Sequence, residues 1–206
     1  MIINESILIN GSPHKEGCTY TALTEIANEL EKNDIDSEIF WIGTEQIRGC
    51  TGCRVCKKNP GKCVFDDDIC NELIKKCEEA DGMIIGSPVY FAGINGGLSA
   101  ILDRVFYAGG INFENKPGAG VVSCRRAGAS ASFDRLNKYF TYNKMPVVPS
   151  QYWNVVHGNT PEEVKQDIEG LQIMRTLAKN MAWLLKSLKD EPTPDYEEKT
   201  FTNFIR

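Results

Sequence analysis

Five short apolar runs recur along the chain, and each leads through a loop into a segment with helical spacing of apolar residues. The runs lie at residues 6–10, 37–42, 82–86 and 118–123, and in a fifth region that starts at 146–148 and could extend through 152–155. Runs of this length, apolar at nearly every position, are typical of strands buried on both faces. Strands that alternate with helices in this way predict an α/β domain with a doubly wound parallel sheet.

The glycine-rich or irregular loops of the chain each follow one of these strands. They cover residues 11–19, 43–66, 87–97 and 123–129. Open α/β sheets bind ligands beyond the carboxyl ends of their strands, at the switch in strand order. We therefore expect these loops to meet at one edge of the sheet.

The length of 206 residues fits one domain, and no repeat or linker divides the chain. We expect that domain over residues 1–190, including the loop 43–66, followed by a polar, proline-broken tail over 191–206 that is either disordered or laid on a partner chain. The net charge of −5 argues against a nucleic-acid partner. No apolar run reaches the roughly 18 residues of a membrane span, and the N-terminal residues lack the basic start of a signal peptide. We expect a cytoplasmic protein that does not enter the membrane.

The first loop runs from Gly11 to Gly17 and opens into helical spacing from Thr19. Free backbone N–H groups and the helix dipole make such a helix start an anion site, to which Ser12, Cys18 and Thr19 could add side-chain donors. The loop has neither the Gly-Lys-Ser/Thr ending of a triphosphate loop nor Gly-x-Gly-x-x-Gly spacing. The pattern favours a monophosphate, and the alternative is an ordinary turn.

The loops after the third and fourth strands could complete a site for a flat molecule. Ser87-Pro88-Val89-Tyr90-Phe91 forms a rigid apolar and aromatic edge that a planar ring could stack against. Arg125 and Gly128 lie in the next loop and could supply donors or positive charge. The alternatives are aromatic residues that belong to the core or to an interface, and an arginine that is merely solvated.

The third unusual feature is a cluster of cysteines. Four of the eight cysteines have the spacing C-x2-C-x2-C-x6-C, at Cys50, Cys53, Cys56 and Cys63. A curling loop brings each third residue to the same side, which suits the four inward thiolates of a 4Fe–4S cluster. Zinc is a second option, and reduced thiols or a disulfide are others. Apart from Cys18 in the first loop, the other cysteines, at 70, 77 and 124, are interpreted as small buried hydrophobes, and Asp66, Asp67 and Asp68 as capping and solvated charges.

The loop motifs together resemble the flavodoxin-like NAD(P)H-dependent FMN reductases. The resemblance depends on Gly11-Ser12-Pro13, Gly17-Cys18-Thr19, Ser87-Pro88-Val89-Tyr90 and Leu102-Asp103-Arg104. The cysteine spacing, with Cys63-Val64-Phe65-Asp66-Asp67-Asp68 after it, resembles the iron–sulfur flavoproteins, a branch of the same family. His14 and Cys18 stand where that family often has Arg and Asn. The resemblance implies a five-stranded parallel sheet of order 2-1-3-4-5 with helices on both faces.

The resemblance also implies the cofactors. The first loop would hold the FMN phosphate, and the later loops would line the isoalloxazine. The residues predicted to bind FMN are Ser12, His14, Cys18, Thr19, Tyr20, Pro88, Val89, Tyr90, Phe91, Gly93, Ser123, Arg125 and Gly128. Those predicted to hold a cluster are Cys50, Cys53, Cys56 and Cys63. No catalytic side chain is assigned, because hydride transfer to a flavin demands no acid–base residue.

The expected function is an FMN-dependent oxidoreductase that passes electrons from NADH or NADPH through flavin to a small acceptor, such as a flavin or a quinone. One alternative is an electron carrier whose 4Fe–4S cluster relays electrons between a ferredoxin-like donor and FMN. The other is a non-enzymatic thiol or metal redox sensor. The resemblance further implies a homodimer or homotetramer.

Overall fold

The structure, a computed structural model, describes residues 4–202, so positions 1–3 of the predicted domain and 203–206 of the predicted tail lie outside it. Strands and helices alternate along most of the chain. In chain order they are β1 Asn4–Asn10, α1 Cys18–Glu31, β2 Ile35–Trp41, α2 Cys70–Glu79, β3 Gly82–Tyr90, β4 Gly93–Ile94, α3 Gly96–Gly109, β5 Gly118–Cys124, α4 Ala129–Tyr142, β6 Val155–His157, α5 Pro161–Val164 and α6 Ile168–Leu188.

Five of the strands form a parallel sheet in the order β2-β1-β3-β5-β6. Counted among the parallel strands alone, this is the predicted order 2-1-3-4-5, and the doubly wound fold is confirmed. Among the described residues, the one strand outside this parallel set, β4, is two residues long and pairs antiparallel with the end of β3. It lies inside the segment predicted as a loop.

Helices cover both faces of the sheet because the central strands are apolar on both sides. Ile7 and Ile9 of β1 belong to one core cluster with residues of α2, α3 and α4, whereas Leu8 belongs to a second cluster with α1 and α6. Alternate side chains of a strand point to opposite faces, so one apolar run serves two cores. In the described part of the chain, no helix is long and apolar enough to cross a membrane.

The last third of the chain differs in detail from the expectation. The fifth parallel strand begins only at Val155, and the earlier segment contributes a single bridge between Val147 and Gly118. The helical segment after β6 is divided into α5 and α6, because the Asp167 carboxylate accepts from the N–H of Gly170 at 3.0 Å and caps the start of α6. Beyond α6 the described tail has no regular secondary structure, and the Tyr196 hydroxyl contacts Asn115 Oδ1 at 2.5 Å.

Candidate functional site

The loop between β1 and α1 forms a cradle with buried hydroxyl groups. Helix α1 begins after Gly17, and no side chain caps it. The Ser12 side chain is almost fully buried, and its Oγ accepts from the N–H of His14 at 3.1 Å. Trp41 fixes the loop from the side by donating its indole N–H to the Ser12 carbonyl at 2.7 Å. An uncapped helix start beside ordered hydroxyls is a suitable place for an anion.

The loops after β1, β3 and β5 meet, as predicted for the carboxyl edge of the sheet. The N–H of Gly11 donates to the Gly86 carbonyl at 2.9 Å, which joins the first loop to the middle of β3. Thr19 Oγ1 lies 2.8 Å from Ser123 Oγ, and both residues are buried. Two hydroxyls from distant parts of the sequence therefore share one hydrogen bond at the floor of the site.

The end of β3 and the short strand β4 form a tight hairpin. Val89 pairs with Ile94 and Tyr90 with Gly93, and the two residues at the tip, Phe91 and Ala92, have positive φ values of 51° and 57°. Two consecutive residues with positive φ are the mark of a type I′ hairpin turn, which normally favours Asn and Gly. Left-handed backbone at non-glycine residues persists where surrounding packing enforces it, and it concentrates at functional sites.

Gly128 provides that packing. It precedes α4 with a φ of +90°, and a Cβ built on it would lie 2.8 Å from Ala92 Cα and 3.0 Å from a Val89 methyl carbon. The third loop therefore presses against the hairpin at a position that only glycine fits.

Gly128→Ala should consequently displace the hairpin. We expect a loss of about 1–3 kcal/mol in the free energy of unfolding, because the new side chain meets both a left-handed backbone and a close neighbour. We also expect weaker flavin binding, measured by titrating FMN fluorescence. Gly96→Ala is the control, since nothing lies within 4 Å of a Cβ there. Equal flavin affinity in both variants would contradict the role given to Gly128.

The other residues predicted to bind FMN are distributed around this edge. Pro88, Val89 and Gly93 are half-buried, as is Tyr20 on α1, whereas Tyr90 and Phe91 are exposed. The side chains of His14 and Arg125 are exposed as well. The Cys18 thiol is directed elsewhere, since Sγ donates to the Gly158 carbonyl at 3.8 Å. Burial raises the pKa of this thiol, so at neutral pH it is a neutral donor.

The four clustered cysteines line one cavity in the loop between β2 and α2. Phe65, Arg104 and Tyr107 complete its wall together with neighbouring loop residues. Exposure falls along the loop: Cys50 and Cys53 are exposed, Cys56 is half-buried and Cys63 is buried. No disulfide joins any of the four to another described residue.

Tight turns give this loop its curl. Gly52 and Arg54 have positive φ values of 66° and 60°, and a 3-10 turn follows at Val55–Lys57. Cys56 Sγ donates to the Tyr107 carbonyl at 3.8 Å, and burial raises the pKa of the Cys56 thiol. The loop is thereby fastened along the C-terminal half of α3.

The side chains around this cavity that could bind a metal are its four cysteines. Within residues 4–202, no three His, Cys, Asp or Glu side chains converge closely enough to bind one metal ion. A zinc site needs four ligands within about 2.3 Å of one point, whereas a 4Fe–4S cluster takes its thiolates at four separate iron corners. Four thiols distributed around one cavity are the donors that such a cluster would take.

Arg104 also lines this cavity, and no contact is predicted for it from the sequence. Its side chain is buried on α3 and makes an ion pair with Asp68, whose carboxylate is buried as well. The expectation that Asp68 is solvated is therefore wrong, although Asp66 and Asp67 are exposed. The available signal was Arg104 itself, three residues after Ile101 in an otherwise apolar helix face, because a charge at such a position needs a buried partner.

The surroundings of Asp68 stabilise the ionised form of its carboxyl group. Burial works to raise the pKa of this carboxyl, but the hydrogen bonds from Arg104 and from the N–H groups of Cys70 and Arg48 outweigh it and hold the pKa below its usual value. Burial likewise opposes the charge of Arg104, and Asp68 offsets it, so that the pKa of the guanidinium is raised.

The parallel strand order, the cradle at α1 and the hairpin at the sheet edge define a flavodoxin-like flavoprotein. Residues 6–160 match the family described as NADPH-dependent FMN reductase, and this chain belongs to that family. An iron–sulfur flavoprotein of Methanocaldococcus jannaschii is 33% identical over 189 residues, covering 88% of this chain and 97% of that protein. One from Methanosarcina thermophila is 29% identical, covering 88% of this chain and 95% of that protein.

Solved structures agree on the fold. RosB bound to 8-demethyl-8-formylriboflavin-5′-phosphate superposes with a TM-score of 0.73 at 15% identity, covering 98% of this chain and 92% of that one. A flavodoxin from the domain Archaea gives a TM-score of 0.61 at 14% identity, covering 88% of this chain and 99% of that one. The family match makes the chain a flavin-dependent oxidoreductase, and the solved structures show its flavodoxin-like fold.

Proposed function

We propose that this chain binds FMN at the carboxyl edge of the sheet and a 4Fe–4S cluster in the cysteine loop, and that electrons pass between the two. The observation that carries the proposal is the single cavity lined by all four clustered cysteines, next to the buried cation Arg104. The curated relatives named iron–sulfur flavoprotein support it over almost the whole chain. When bound, a cluster supplies one-electron transfer and a flavin supplies hydride and electron chemistry.

In this proposal the chain's own residues bind and orient the flavin. Ser12 and Thr19, with the free N–H groups at the start of α1, hold the phosphate. Pro88 and Val89 form a rigid wall for the ring. The other assigned contacts come from the same edge of the sheet: Cys18 through its backbone N–H at the start of α1, and His14, Tyr20, Tyr90, Phe91, Gly93, Ser123, Arg125 and Gly128.

Thr19→Val tests the phosphate cradle. The change keeps the shape of the side chain but removes the hydroxyl that lies 2.8 Å from Ser123 Oγ. We expect FMN to bind about tenfold or more weakly, since a hydrogen bond to a charged group contributes about 1.5–3 kcal/mol. The readout is FMN affinity by isothermal calorimetry.

Thr24→Val on the same helix is the matched control. Its Oγ1 is buried and has no hydrogen-bond partner among the described residues, so the same change there should leave FMN affinity unaltered. Equal affinities for the wild type and Thr19→Val would rule out this hydroxyl as part of the phosphate site.

The proposed electron donor is a small ferredoxin-like protein that meets the cysteine loop, where Cys50 and Cys53 reach the surface. The second candidate donor is NADPH or NADH acting directly on the flavin, and it is favoured by the family description that residues 6–160 match. In both cases a small-molecule acceptor is reduced at the exposed edge of the flavin site.

Anaerobic spectroscopy tests the proposal and separates the donors. Protein purified without oxygen is assayed for iron, sulfide and flavin, and its visible spectrum is followed after addition of a reduced ferredoxin, NADPH or NADH. Bleaching of both cluster and flavin absorbance by the ferredoxin supports the relay. Rapid flavin bleaching by a nicotinamide, with slow reduction by the ferredoxin, favours the reductase. A protein that binds no flavin even after FMN is added would refute both.

We also propose a homodimer or homotetramer. Tyr90 and Phe91 at the flavin edge are exposed, as are Tyr152 and Trp153 before β6. Aromatic residues are enriched in protein–protein interfaces, and these four side chains support association on that ground. Analytical ultracentrifugation of the FMN-loaded protein tests this, and a monomer at micromolar concentration would contradict it.

A further inference from the structure

Arg104 connects helix α3 to both limbs of the cysteine loop. Nη1 donates to the Arg48 carbonyl at 3.1 Å, just before the first clustered cysteine, and Nη2 donates to the Phe65 carbonyl at 3.0 Å, just after the last. One planar side chain thus holds the entrance and the exit of the loop together. The third nitrogen of the guanidinium, Nε, donates to Cys63 Sγ at 3.4 Å.

The contact with Cys63 is a charged donor directed at a buried sulfur. Cys63 is the most buried of the four clustered cysteines, and Arg104 is 2% exposed. A guanidinium remains charged throughout the range in which proteins function. In a site shielded from water, such a charge acts more strongly on a nearby group than the same charge would at the surface.

We propose that Arg104, balanced by Asp68, is a positioning residue that sets the reduction potential of the cluster held through Cys63. This inference rests on the proposed function, because it requires that a cluster binds there. Hydrogen bonds to cluster sulfurs and the net charge near a cluster are among the factors that set its potential. A buried positive charge beside the sulfur stabilises the added electron, and the nearby carboxylate opposes this effect.

Removing one partner or the other of the Arg104–Asp68 ion pair should shift the midpoint potential of the cluster in opposite directions. Arg104→Gln removes the positive charge and leaves Asp68, so the midpoint potential of the cluster should fall. Asp68→Asn removes the negative charge, keeps an oxygen that can accept from Arg104, and should raise the potential. A merely structural role would instead lower cluster content in both variants without opposite shifts.

The experiment is a redox titration of the reconstituted, FMN-loaded protein, followed by electron paramagnetic resonance of the reduced cluster. Iron and sulfide are counted in each sample, so that potentials are compared only between loaded proteins. Arg104→Lys is the third variant, and it keeps the positive charge. It replaces Arg104→Gln if that variant fails to fold. Its midpoint potential should lie closer to the wild type than that of Asp68→Asn. Arg48→Gln is the control for charge, because that guanidinium is exposed and pairs with Asp67.

Opposite shifts for Arg104→Gln and Asp68→Asn, with no shift for Arg48→Gln, are the expected result. If Arg104→Gln fails to fold, a potential closer to the wild type in Arg104→Lys than in Asp68→Asn is expected. Unchanged potentials in fully loaded variants, or shifts of the same sign, would overturn the role of Arg104 while leaving the proposed function intact. A wild-type protein that takes up no iron and sulfide on reconstitution would overturn the proposed function, and this inference with it.

Discussion

Asp68→Ala is expected to destabilise the folded protein by about 3 kcal/mol or more. The substitution leaves the Arg104 guanidinium buried without its counter-charge, and breaking one partner out of a buried ion pair costs about 3–5 kcal/mol. Two backbone N–H groups, those of Arg48 and Cys70, lose their acceptor at the same time. The measurement is urea unfolding followed by circular dichroism, with the midpoint and slope fitted together.

Asp67→Ala is the matched control, one residue away. Asp67 is exposed and pairs with the exposed Arg48, so solvent screens the interaction. We expect its unfolding midpoint to coincide with that of the wild type. Equal midpoints for the two alanine variants would show that the Arg104–Asp68 pair does not stabilise the fold.

The same pair predicts a dependence on pH. The pKa of Asp68 is lowered in the folded protein, so its contribution to stability is complete above the unfolded value near 4 and is lost as the pH falls through the folded value. The difference in stability between the wild type and Asp68→Ala should therefore narrow below about pH 4. A difference that stays constant to pH 3 would contradict the lowered pKa.

Cys53→Ala is expected to abolish cluster binding and to leave FMN binding unchanged. A 4Fe–4S cluster needs four thiolates, and this loop offers four around its cavity. Cys53 is exposed, so its loss should not disturb the core. Iron should fall from about four per chain towards zero after anaerobic reconstitution, while flavin stays at about one per chain.

Cys77→Ala provides the comparison of the same chemical change elsewhere. Cys77 is buried on α2 within the hydrophobic core and does not line the cysteine cavity. This variant should lose some stability and keep its iron. If both variants retain iron, the cysteine loop is not the cluster site, and if both lose iron, the loss follows from general damage to the fold.

The doubly wound sheet could be predicted from the sequence because its central strands are buried on both faces. Continuous apolar runs such as Ile7-Leu8-Ile9 report that environment locally, without knowledge of any distant contact. The meeting of the loops could be predicted as well, since topology alone brings the carboxyl ends of parallel strands together.

The β3–β4 hairpin and the Arg104–Asp68 ion pair could not be predicted from the sequence. Phe91 and Ala92 carry no turn signal, and their left-handed backbone is enforced by the packing of Gly128 from another loop. Asp66, Asp67 and Asp68 are identical in type, and only a partner 36 residues away on α3 distinguishes the third. Both features depend on tertiary contacts, which local propensity does not encode.

Helix α3 separates the two halves of the proposed chemistry. The hairpin of β3 and β4 leads into its start, and Arg104 and Tyr107 contact the cysteine loop about 12–16 Å further along, at 1.5 Å per residue. The cysteine loop joins β2 to α2 and packs on the core through Cys63, with Cys56 and Phe65 beside it, and it contributes no strand to the sheet in the described structure. The proposed metal binding could therefore be varied independently of the proposed flavin binding, by substitutions confined to residues 50–63.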